Sequence, residues 1–220
     1  AEFGKLGYDP VLLGYTDTAP DPRQYETDDP KLKGNIRILP GFDHFLGMSS
    51  EHVPEYWAQW LQDRNYKVPE NLRDLYYQAV EGYPGAENRG RTFSPAPYTK
   101  EESDTAFLTD RAEKFICKPS AQPWFLHLSY LKPHRPYLAP EPYNRLYNPE
   151  DVPEFIRAST IEAEAKQHPF LAYLLEQGVK NGYYTDTIFP RDENSMRQLR
   201  ATYYGLISEI DDHIDRKSVV

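Results

Sequence analysis

The chain has 220 residues, a net charge of -9, 39% hydrophobic residues and 14% aromatics. That apolar share excludes disorder and is enough for a real core. The excess of acid excludes nucleic-acid and anionic-membrane surfaces, which are bound through surplus Lys and Arg. A single cysteine excludes an internal disulfide and points to a cytoplasmic setting, and no apolar run is long enough to span a membrane.

Residues 10–18, "PVLLGYTDT", form an apolar run ending in Gly and hydroxyl residues, the pattern of a buried strand leading into a loop. A Pro- and Asp-rich stretch predicts a surface loop, followed by a short strand over 35–42 stopped by Pro40 and Gly41. Residues 49–65 read as a helix with Trp57, Trp60 and Leu61 on one face and Ser49 or Ser50 as its cap. Residues 66–98 are rich in loop residues. Thr99 and Glu102 make a capping box that opens a helix to about Ile116, with Phe107, Leu108, Phe115 and Ile116 turned to the core. "PWFLHLSYL", 123–131, predicts a second strand covered on both faces. Ser159 with Glu162 predicts another helix cap, with an interruption at Pro169. The final helix, about 191–216, carries Leu199, Tyr203, Leu206, Ile207, Ile210 and Ile214 at helical spacing, leaving Asp211, Asp212 and Asp215 to solvent. Strands separated by helices imply an α/β layer fold, and the 20 prolines spread along the chain imply long, stiff connections.

Four places invite a chemical reading. Cys117 stands in Cys117-Lys118-Pro119-Ser120, the opening of a sulfatase nucleophile signature, but Ala121 fills the place of the arginine that would stabilise an ionised nucleophile. Cys117 is therefore read as ordinary packing before a core strand. Asp43 and His44 are metal-ligand types, yet neighbours in sequence do not readily face one ion and no third ligand lies close by. The run 209–215, "EIDDHID", reads as a solvated helix face. His134 follows a strand between Pro133 and Arg135-Pro136, with Lys132 adjacent. In open α/β sheets ligands bind beyond the carboxyl ends of strands, so this turn is either a preorganised anion site or a plain surface loop.

Taken together, "LGYDPVLLGYTDTAPDPR", "PWFLHLSYLKPHRPYLAPEPYNRLYNPEDVP" and "RQLRATYYGLISEIDDHI" resemble consecutive segments of sulfatases and phosphonate monoester hydrolases of the alkaline phosphatase superfamily. The resemblance implies an α/β alkaline-phosphatase-like layered fold, with helices around a mostly parallel sheet, incomplete at both ends. Residues 1–220 would be the central portion of a hydrolase domain, and the missing initiator Met fits a start upstream. It further implies hydrolysis of sulfate, phosphate or phosphonate esters, with His134 catalytic and Tyr15, Thr16, Asp17 and Lys132 around a small anionic ester substrate. Asp17 departs from the family's pattern, because a carboxylate beside an anion is unfavourable; Thr16 or Thr18 takes its place, or Asp17 turns away. The parent would use a divalent metal, calcium or manganese, while its ligands and the nucleophile fall outside this chain; the parent is compatible with a homo-oligomer. The rival reading is a non-catalytic fragment or interaction module that keeps the scaffold and part of the anion pocket.

Overall fold

A computed structural model describes residues 2–16, 21–29, 32, 41–42, 44–47, 55–180 and 192–217. Among them, three strands form one parallel sheet in the order β2-β1-β3: β1 is Asp9–Gly14, β2 His44–Gly47 and β3 Trp124–Ser129. β1 sits in the middle, with Val11 opposite both His44 and Leu126 and Gly14 opposite both Gly47 and Ser129. Val11, Leu12 and Leu13 are buried, as an uninterrupted apolar run in a central parallel strand requires. The fold is thus α/β with a parallel sheet, as the sequence predicts. The predicted strand at 35–42 lies mostly outside the described residues, as do Asp43, Ser49 and Ser50.

The helices are α1 (Glu2–Lys5), α2 (Glu55–Gln62), α3 (Leu72–Tyr77), α4 (Ala86–Arg89), α5 (Asp104–Ile116), α6 (Ile161–Ala165), α7 (Pro169–Lys180) and α8 (Glu193–Lys217). The capping box of Thr99 and Glu102 closes as expected, but it opens a single 3-10 turn, Lys100–Glu102; α5 itself is capped by Ser103, whose hydroxyl accepts from the Ala106 amide at 3.1 Å. The cap of α6 is Thr160 rather than Ser159, one residue later, and the break before Pro169 is present because proline is tolerated in a helix's first turn and not in its interior.

The chain divides into two compact units. The first holds residues 1–78, 98–134 and 209–220; the second holds 79–97 and 135–208. In the first, α5 packs on β1, β3 and α2, and Leu12, Trp57, Leu61, Leu75, Phe107 and Leu108 are fully buried. Burial of each such side chain contributes roughly 1.5–3 kcal/mol, which fixes a helix of α5's length that would be marginal alone. In the second, Ala139, Tyr143 and Leu206 form a core cluster with Tyr137 packed against it.

Two burial expectations need correction. β3 is half-exposed, with Trp124 at its exposed start, because among the described residues it is an edge strand with a single neighbour. On α8, Leu206 is buried as expected and Asp211, Asp212 and Asp215 are exposed, but Ile207 and Ile214 are also exposed. The buried stripe is Gln198, Ala201, Thr202, Gly205, Leu206, Glu209 and His213. It runs at the same helical period, rotated by about one residue, and is largely polar because partners await its polar groups. Gly205 belongs there for a steric reason: a Cβ would meet the Tyr143 carbonyl oxygen at 2.0 Å.

Candidate active site

The site begins at the carboxyl ends of β1 and β3. Gly14 ends β1 at φ +106°, and a Cβ there would strike the Ser129 carbonyl oxygen at 1.8 Å, so glycine is required where the two strands lie this close. The next residue continues the pairing: the Tyr15 amide donates to the Ser129 carbonyl at 2.9 Å. Tyr15 and Thr16 therefore leave the sheet on the same edge from which Ser129 leads to the His134 turn, and both are half-buried. Asp17 and Thr18 lie outside the described residues.

The turn itself is closed by the His134 amide donating to the Leu131 carbonyl at 3.0 Å. Leu131 and Lys132 are buried, at 4% and 3% exposure, whereas His134 is exposed. The sequence places Lys132 and His134 side by side as surface groups; the structure turns them apart. The ammonium points into the first unit, with Nζ 4.7 Å from the Tyr76 ring centroid, a cation–π contact in a desolvated place. His127, on β3, is half-buried with its ring edge-on to Phe42 at 6.0 Å, a packing position.

Behind the turn lies a buried ionic cluster that sequence reasoning missed. Asp104, the first residue of α5, is 1% exposed and Glu209 of α8 is 0% exposed. Burial pushes the Lys132 ammonium down from its ordinary pKa, against the opposing pull of Asp104 and Glu209. It pushes Asp104 up, with Lys132 acting the other way, and lifts Glu209 to about 7, reinforced by the Asp104 charge. Tyr76 and Tyr98 cover the cluster, both buried, and their phenols are held well above the usual range by the same desolvation. The carboxylate oxygens of Asp104 and Glu209 close no hydrogen bond of normal geometry among the described residues. In sequence Asp104 resembles any acid in a helix's first turn, and Glu209 opens an acidic run. The available signal was the stripe Gln198, Thr202, Glu209, His213, polar residues at helical spacing around Ala201 and Gly205.

Among the described residues no group of three or more His, Cys, Asp or Glu side chains is placed to hold a metal ion. Asp104 and Glu209 do not fit one either, since the charge between them is already supplied by Lys132. Cys117 caps the end of α5 and is exposed, not packed as the sequence reading has it, because it falls just past the helix's last turn. Near it a groove of about 500 Å³ is lined by Asp9, Lys118, Ser120, Gln122 and Trp124. Asp9 and Trp124 begin their strands, so this groove opens at the amino ends of the sheet, opposite the edge where α/β sites form.

The sulfatase family model matches residues 3–216. The chain belongs to the sulfatase family. This sulfatase-family chain is 37% identical over 215 residues to the multifunctional alkaline phosphatase superfamily protein PehA of Trinickia caryophylli, covering 96% of the chain and 40% of that protein. It is 23% identical to an arylsulfatase of Clostridium perfringens, over 98% of the chain and 41% of the relative. The phosphonate monoester hydrolase of Agrobacterium radiobacter superposes with a TM-score of 0.76 at 36% identity, covering 95% of this chain and 40% of that one. The corresponding enzyme of Silicibacter pomeroyi gives 0.77 at 34% identity, over 98% and 42%. The chain thus spans about two fifths of the length of each relative. No helix among the described residues is long and apolar enough to cross a membrane.

Proposed function

We propose that residues 1–220 are the central portion of a sulfatase-type hydrolase domain whose complete form cleaves small anionic sulfate, phosphate or phosphonate esters. The observation that supports this most is the His134 turn: an exposed imidazole on a hydrogen-bonded turn, at the sheet edge from which Tyr15 and Thr16 also emerge. In this reading the His134 ring donates an N–H to an equatorial oxygen of the transferring group, where negative charge grows as the ester bond breaks. The phenol of Tyr15 and the hydroxyl of Thr16 donate to the same anion. Donors held in place beforehand stabilise that charge without reorganising. Lys132 contributes from behind, as buried positive charge near the turn.

The nucleophile and the ligands of a divalent ion, calcium or manganese, come in this reading from parts of the parent beyond residues 1–220. A bound ion would supply Lewis-acid activation of the nucleophile. A cytoplasmic location goes with the single, unpaired cysteine.

The test is a pair of histidine variants in the full-length protein. His134→Ala should lower turnover of aryl sulfates or phosphonate monoesters by about 10²–10³-fold with the melting temperature nearly unchanged. His127→Ala should instead destabilise by roughly 1–3 kcal/mol through lost packing. Exchanged phenotypes would move the site off this turn. A full-length protein with no turnover on either ester class would leave the scaffold as a non-catalytic interaction module.

A further inference from the structure

We infer that Asp104, Glu209 and the Tyr76 ring are positioning groups: acting through the Lys132 ammonium from inside the first unit, they fix the turn that presents His134. This deepens the reading of His134 above and rests on it for its catalytic meaning. The geometry is that of an anchored lever. Leu131 and Lys132 are held in the interior, the Leu131 carbonyl accepts the His134 amide at 3.0 Å, and only then does the chain reach the exposed imidazole. A lysine stem is long and flexible, so an unanchored ammonium would leave the turn free to rock. Here the ammonium sits over the Tyr76 ring at 4.7 Å and in the field of two fully buried carboxyl groups from two different helices.

Stability alone is a poor account of such a cluster. Charge-bearing groups buried together usually stabilise no better than apolar residues of the same volume, because desolvation offsets their attraction. Among the described residues the Asp104 and Glu209 oxygens close no hydrogen bond of normal geometry, and the weaker pull of Ser103 and Thr105 on Glu209 does not offset its burial. Burial lifts Glu209 to about 7 and favours its neutral form beside Asp104 and Lys132. Glu209→Gln copies that neutral form, whereas loss of the ammonium removes the anchor.

The experiment uses the full-length protein labelled in its histidine rings and studied by NMR at pH 6, with His134 assigned by its absence in His134→Ala. The charge-free triple variant Asp104→Asn, Lys132→Met, Glu209→Gln avoids leaving a lone buried charge. It should keep the wild-type melting temperature yet shift the His134 ring signals while His168 stays put. Glu209→Gln alone, which keeps a polar group beside the ammonium, should shift the His134 signals less than the triple variant does. Unmoved His134 signals in the folded triple variant would overturn the inference. Should the triple variant not fold, Lys132→Arg decides, since a guanidinium cannot occupy the ammonium's place without moving the turn, and unmoved signals there overturn it too. In the full-length protein the triple variant should lose about 10–100-fold in kcat, as expected for a catalytic group displaced by about 1 Å, with KM changed less than twofold. If His134→Ala were fully active the functional reading would fail, while the ring signals would still report on the anchor; the two failures are separate.

Discussion

The two halves of α8 bury polar side chains in opposite ways. In the half that belongs to the second unit, every buried polar group is neutral and joined in a chain. The Arg89 Nε donates to the Gln198 Oε1 at 3.0 Å, the Gln198 Nε2 donates to the Thr202 Oγ1 at 3.1 Å, and that hydroxyl donates to the Thr92 carbonyl at 2.9 Å. The guanidinium at the start of that chain, on Arg89, lies over the Phe93 ring at 4.1 Å. In the half that belongs to the first unit, His213 is similarly settled, its Nε2 donating to the Lys100 carbonyl at 3.2 Å, but Glu209 is buried beside Asp104 and Lys132 with no hydrogen bond of normal geometry to either oxygen among the described residues. A completed network rigidifies the core, whereas buried charges short of hydrogen bonds cost stability.

The sharpest way to break this contrast is pH. Glu209 is lifted from its ordinary 4.5 to about 7, so the folded chain binds its proton more tightly than the unfolded chain does. The stability that Glu209 contributes is therefore fully present below about pH 4.5, falls as pH rises towards 7, and is lost above it. Two and a half units correspond to roughly 3 kcal/mol at 1.36 kcal/mol each, as an order of magnitude. Asp104 is shifted in the same direction and adds to the slope. Thermal melting of wild type and Glu209→Gln from pH 4.5 to 8 should show the variant gaining on the wild type as pH rises. Parallel curves would mean that Glu209 is not held in the environment described.

A somewhat smaller effect comes from the completed network. Gln198→Leu keeps the volume but takes the acceptor from Arg89 and the donor from Thr202. A buried donor left without its partner costs about 1–3 kcal/mol, and this loss should not vary between pH 5 and 8 because neither Gln198 nor Thr202 titrates. Denaturant unfolding at two pH values checks both the size and the flatness. A loss that grew with pH would tie the second unit's network to the ionic one and remove the contrast.

How legible all this was in the sequence follows from the same contrast. β1 and β3 were readable because continuous apolar runs between turn residues have few other uses, and α5 because its apolar face follows a helical period, although the capping box of Thr99 and Glu102 opens the 3-10 turn before it and Ser103 caps α5 itself. The family resemblance implied roles for His134 and Tyr15, and the parallel register brings the strand ends that precede them to one edge. The buried face of α8 was not readable from its apolar residues. Hydrophobic periodicity places Ile207 and Ile214 inward, and it cannot know that Gln198, Thr202, Glu209 and His213 meet partners drawn from far along the chain. Lys132 was misplaced for a similar reason, since only tertiary structure supplies the carboxyl groups that make burial of an ammonium tolerable.

The rotation of α8's buried face gives the smallest expected effect and tests the burial pattern directly. Ile207 is 44% exposed, next to Leu206 at 0%. If apolar periodicity governed the packing, Ile207 would be a core residue and its loss would cost about 2–5 kcal/mol. On the observed face the polar stripe carries the packing, and Ile207→Gln exchanges one surface group for another of similar helix propensity, worth less than about 0.5 kcal/mol either way. Leu206→Ala in the same helix, one residue away, should fall in the core range instead. Urea midpoints for the two variants therefore separate by several-fold in the free energy lost, and a large loss at Ile207 would return the helix to the face that its isoleucines predict.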